Sequence, residues 1–143
     1  MLRELFSAIV VIVTCSSAAW SADELKDTEG TWVPSAAELA GQKFPDEVCK
    51  SIKLVIKGDQ YTVTVGPERD EGTCKRDTAA KPKTIDITST FGPNKGKTFL
   101  AIYEREGDTL RVCYDLSGKD RPKDFGTKKG TKLYLVTYQR ERQ

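Results

Sequence analysis

Histidine is absent from this sequence. The imidazole is the commonest general base near neutral pH and the commonest transition-metal ligand. Its absence excludes histidine-based catalytic triads and the usual zinc sites, so neither a metal nor another cofactor is expected. An enzyme built on this chain would have to work with carboxylates, lysines, tyrosines or a thiol. An excess of one charge is also missing, since 23 basic residues are interspersed with 21 acidic ones. A nucleic-acid surface calls for a larger, clustered positive excess, and no such partner is expected. Long helical patterns, repeats and low-complexity tracts are missing too, which argues against a parallel α/β fold. A chain of 143 residues suits one compact domain.

What is present begins with an apolar segment. Residues 1–21 read as a secretory signal peptide, with Arg3 near the start and an apolar run through Ile9, Val10, Val11, Ile12 and Val13. Small residues follow at Ser16, Ser17, Ala18, Ala19 and Ser21, and cleavage is expected after Ser21. The uncharged stretch is shorter than the ~20 residues that span a bilayer. The expected location is therefore secreted or periplasmic, with residues 22–143 as a single mature domain. The alternative is a lipoprotein signal ending at Cys15, which would tether the chain to a membrane. Ile12, Val13 and Thr14 before that cysteine fit this alternative poorly. Cys49, Cys74 and Cys113 remain after cleavage, spaced too widely for a redox or metal CxxC pair. One disulfide or simply buried thiols are the two expectations.

From residue 31 the pattern has period two. Ile52, Leu54 and Ile56 alternate with Lys53, Val55 and Lys57, and Tyr61, Val63 and Val65 with Thr62 and Thr64. Ile85 and Ile87 flank Asp86, while Leu110, Val112 and Tyr114 alternate with Arg111, Cys113 and Asp115. Such alternation marks strands with one face in a core, and turn residues at Gly58-Asp59 and Glu106-Gly107-Asp108 mark hairpins. Residues 79–82, 92–96 and 117–122 are loop-like. A short helix is expected within 44–51, with Pro45 near its start. Pro34 cannot donate to a ladder, so the first strand should be kinked, bulged or an edge there. The strands near residues 98–104 and 132–139 are apolar on both faces and should be covered on both. The fold class expected is all-β: an antiparallel barrel of about eight strands with one or two short helical segments.

Two motifs carry different weight. Gly92-Pro93-Asn94-Lys95-Gly96-Lys97-Thr98 looks like a phosphate loop but is one residue short, and a strand-like run follows where a helix is needed. Gly30-Thr31-Trp32 at the start of the first strand, with Arg140 or Arg142 near the end of the last, resembles lipocalins and related calycin barrels. There the tryptophan closes one end and an arginine packs over its ring, a contact worth ~0.5–2 kcal/mol. Gly30, Trp32 and Arg140 are thus expected to close the barrel structurally.

Further stretches extend the likeness: Asp23-Glu24-Leu25, Leu54-Val55-Ile56-Lys57-Gly58-Asp59, Lys81-Pro82-Lys83, Gly107-Asp108-Thr109-Leu110-Arg111-Val112-Cys113 and Arg121-Pro122. Together with the two motifs above they resemble a secreted, lipocalin-like domain family expanded in planctomycete bacteria. The resemblance implies export and a barrel, and brings no catalytic residues with it.

The functional expectation is an exported, non-catalytic binding domain that holds a small apolar ligand in its barrel. Leu54, Val63, Ile85, Val112 and Tyr114 are the candidate interior residues. The alternative is a filled barrel acting through its loops on an extracellular protein, as an inhibitor would. Acid pairs such as Asp120 with Asp124 read as solvated loop charges, and no enzyme is expected.

Overall fold

The computed structural model describes residues 26–141. The segment read as a signal peptide, with Cys15, and the alternative cation Arg142 lie outside the described residues.

Alternation shapes the architecture. In β3 (Ile52–Lys57) Ile52, Leu54 and Ile56 are buried, while Lys53, Val55 and Lys57 are exposed. A sheet that closes on itself covers every such apolar face at once and leaves no unpaired edge. The strands β1 (Gly30–Leu39), β3, β4 (Gln60–Val65), β5 (Glu68–Asp77) and β6 (Lys83–Phe91) are successive antiparallel neighbours. So are β7 (Thr98–Glu106), β8 (Thr109–Asp115) and β9 (Leu133–Arg140), and β1 pairs with both β3 and β9. The product is a closed eight-stranded antiparallel barrel of the lipocalin-like kind expected. A further strand, β2 (Gln42–Lys43), adds a two-residue ribbon to the end of β1. The helix α1 (Asp46–Lys50) follows Pro45 within the expected segment.

Pro34 forms a bulge. It faces Tyr138 of β9 while Ala36 faces Thr137, so Ser35 is an extra residue. The inserted residue shifts the buried positions from Trp32 and Pro34 to Ala37, which keeps both halves of β1 facing the core.

Of the two strands expected to be covered on both faces, β7 is buried on both, while in β9 Val136 and Tyr138 are buried and Leu133 and Leu135 are half-buried. Phe99, Ala101 and Tyr103 of β7 line up with Ile87, Ile85 and Lys83 of β6, and Ile102 faces Cys113 on the opposite surface. Ile102 and Cys113 are both buried, and the Cys113 thiol reaches the Gly126 carbonyl at 3.6 Å. The loop of residues 116–132 therefore lies over the outside of β7 and β8. Arg111 stacks on Phe125 at 4.5 Å, and Arg121 donates to the Ala101 carbonyl at 2.9 Å and to Asp86 at 2.5 Å. Asp115 starts this loop by accepting from the amides of Ser117, Lys119 and Asp120. Burial alone would raise its carboxyl; the hydrogen bonds, led by the Ser117 hydroxyl, prevail and hold it below the usual value.

No hydrophobic alternation marks β5. Its inward positions are Gly72, Cys74 and Arg76, all buried. Gly72 is required by a close approach: a Cβ there would sit 2.0 Å from the Thr88 carbonyl and 2.8 Å from the Tyr61 ring. The β5–β6 register shifts at this point. Cys49, Cys74 and Cys113 are all buried and unpaired, so of the two cysteine expectations the buried thiols hold and the disulfide does not.

Candidate ligand-binding site

The two ends of the barrel differ. At the end where β1 begins, Trp32 is fully buried and its indole N–H donates to the Thr28 carbonyl at 2.9 Å. The Arg140 guanidinium lies over the Trp32 ring and donates to the Asp27 carbonyl at 2.5 Å. Arg105 pairs with Asp27 at 3.4 Å, which pins the chain before β1 across this end. The expected closure residues Gly30, Trp32 and Arg140 are thus brought together here. The Gly30 position has φ +131, a backbone that favours glycine, and it lies beneath the Arg140 side chain.

The opposite end is open. Between the two lies a cavity of about 270 Å³. All five residues expected to face the interior, Leu54, Val63, Ile85, Val112 and Tyr114, line it. Leu54 and Val63 face each other across β3 and β4. Val65, Leu116 and Pro93 stand at the mouth, where the β4–β5 turn and the loops after β6 and β8 converge.

Aromatic groups line the β8–β9 side. The Tyr114 and Tyr134 rings stack at 5.5 Å, and Phe44 meets Tyr134 at 5.7 Å. The Tyr114 and Tyr138 hydroxyls lie 3.2 Å apart, and burial pushes both well above the ordinary phenol value, Tyr138 to about 12.

Polar groups the sequence did not single out complete the wall. Asp70 accepts from the Tyr61 hydroxyl at 2.9 Å and from the Ser89 hydroxyl at 2.5 Å. The Cys74 thiol is pushed up to about 11 by burial, with Arg76 opposing and Asp59 adding, so it stays protonated at neutral pH. Arg76 lines the cavity near the closed end and donates to the Gly58 carbonyl at 3.3 Å. No sequence signal marks the inward face of β5, because Gly72, Cys74 and Arg76, which alternate with Thr73, Lys75 and Asp77, share neither size nor hydrophobicity.

Gly92-Pro93-Asn94-Lys95-Gly96-Lys97 forms a hairpin loop closed by Gly96 N–H donating to the Ser89 carbonyl at 2.9 Å, and β7 follows it directly. The helix that a phosphate loop requires is replaced by a strand, and among the described residues no cluster suited to a metal ion occurs. No family model, curated protein or solved structure matches this chain.

Proposed function

We propose that this domain is an exported binding protein that takes a small, at least partly apolar molecule into its barrel and performs no chemistry on it. The observation that carries the reading is the apolar cavity of about 270 Å³, open at one end and closed at the other. It is somewhat smaller than the ~300–1,000 Å³ of drug-sized sites, which suits a small ligand. The Cys74 thiol on the wall stays protonated at neutral pH, which makes it a poor nucleophile. Export rests on the signal-peptide pattern of residues 1–21, in keeping with the resemblance to a secreted lipocalin-like family.

The test is a screen of the mature protein with an apolar fluorescent probe, fatty acids, ATP and divalent metals. Displaceable uptake of the probe is expected, abolished by Val63→Asp or Val112→Asp in a variant that still folds. Saturable binding of ATP or zinc with no apolar uptake would refute the reading. A second reading has its own observation: Val65, Phe91 and Leu116 are exposed around the mouth. Failure of all small-molecule uptake would leave that rim as the working surface, directed at another protein.

A further inference from the structure

A buried cation without a counter-ion among the described residues marks the inner part of this cavity. Arg76 is 3% exposed, lines the cavity, and forms no salt bridge among the described residues. Its Nη1 donates to the Gly58 carbonyl, while Nε and Nη2 are buried and have no hydrogen-bond partner among the described residues. Burying charged donors unsatisfied is costly, and such a group calls for an explanation. Nε and Nη2 are also the pair of guanidinium nitrogens whose N–H bonds run parallel, the fork that matches the two oxygens of a carboxylate.

We infer that the ligand is an amphipathic acid whose carboxylate docks on Nε and Nη2 of Arg76 and whose apolar tail points towards the mouth. This rests on the cavity reading above and adds the head group and the direction of the ligand. The surroundings fit it. Ile85 is the cross-strand partner of Arg76, and Ile56 and Leu110 line the same cavity, so the space the cation shares is largely apolar. The other cavity-lining arginine, Arg69, is at the mouth, is largely exposed, pairs with Glu71 at 3.2 Å and stacks on Phe91. Its charge is already answered, and it is the poorer anchor. A cavity of about 270 Å³ with an open mouth suits a medium-chain aliphatic acid. Both nitrogens are shielded from solvent, so the head group must displace the side chains packed over them.

The experiment compares decanoate, decanol and methyl decanoate as competitors of an apolar probe at neutral pH, on the wild type, Arg76→Met and Arg69→Met. The wild type is expected to prefer the acid over the alcohol by roughly ten- to a hundredfold, the range of hydrogen bonds to a charged group. Arg76→Met should lose that preference and keep the alcohol. It should also raise the unfolding midpoint of the free protein, because an unpaired buried charge has been removed. Arg69→Met should keep the preference. Equal binding of acid and alcohol by the wild type would overturn the inference and leave the cavity reading intact. So would a preference that follows Arg69. Failure of all three competitors and the probe to bind would instead sink the cavity reading itself. Should Arg76→Met not fold, the same decision is read from the wild type by nitrogen NMR. The Arg76 Nε resonance should move with decanoate and stay put with decanol; equal response to both would count against the proposal.

Discussion

The Arg140 guanidinium lies 4.6 Å from the centre of the Trp32 ring, and the pairing of β1 with β9 places it there, because the two residues face each other across the seam that closes the barrel. The contact joins the first and last strands, so it reports on closure itself. Trp32→Ala should cost ~3–5 kcal/mol, as expected for deleting a fully buried large aromatic. Arg140→Ala should cost less, ~0.5–2 kcal/mol for the stacking contact. Denaturant unfolding decides, and a Trp32→Ala midpoint no lower than that of a surface variant would refute the closure role.

Gly72 offers a sharper test of packing. A Cβ at this position meets backbone atoms of β6, the Thr88 carbonyl at 2.0 Å and the Ser89 Cα at 2.9 Å, and backbone cannot swing aside as a side chain does. Gly72→Ala should therefore destabilise by at least the ~1–3 kcal/mol of overpacking. Gly126→Ala is the matched control, since an added Cβ there meets nothing within 4 Å and the backbone has no positive φ. Equal unfolding midpoints for the two variants would show that β5 and β6 are not packed this closely.

These two sites also show what the sequence can and cannot reveal. Leu54, Val63, Ile85, Val112 and Tyr114 were legible because period-two hydrophobicity identifies an inward face, Trp32 through the Gly30-Thr31-Trp32 motif, and every one of them faces inward in the structure. The Pro34 irregularity was legible because proline cannot donate, though only the paired strand shows that it is a bulge. Strand β5 was not legible, because its inward residues are a glycine, a thiol and an arginine, and barrel closure rather than local preference turns them inward. Arg76 is hidden for the same reason: its place on the cavity wall depends on the neighbours that β4 and β6 bring to it. Coverage of β7 could be inferred from its two apolar faces. That the loop of residues 116–132 provides it depends on anchors such as Asp115 and Arg121.

Alkaline pH should unfold the barrel from the inside. Burial raises the Cys74 thiol from 9.0 to about 11 and Tyr138 to about 12, and it also raises Tyr61, Tyr114 and Tyr134. In each case the neutral form is favoured in the folded state, so the unfolded chain loses its proton first. The stability these groups provide is fully present below the ordinary thiol value of 9.0 and is lost as pH rises towards about 11 and beyond. Denaturant midpoints should fall steadily across this window, and tyrosinate absorbance should rise together with unfolding. A flat midpoint with tyrosines titrating near their ordinary value in the folded protein would contradict the burial of these rings.

The cavity can be tested by filling it. Val63 is half-buried on β4, faces Asp70 of β5 on one side and Leu54 of β3 on the other, and lines the open space. A phenyl ring at this position would project into the open space that Val63 borders. In a barrel with this cavity, Val63→Phe should leave the unfolding midpoint unchanged or raise it, because the ring enters space that holds no side chain. In a barrel already filled by its own side chains, the same change should cost the ~1–3 kcal/mol of overpacking. Uptake of an apolar probe supplies the second readout. An open cavity predicts that Val63→Phe loses most of the uptake seen with the wild type while folding normally. A variant that folds normally and binds as much probe as the wild type would place the site elsewhere on the molecule, with the exposed rim of Val65, Phe91 and Leu116 the first surface to examine.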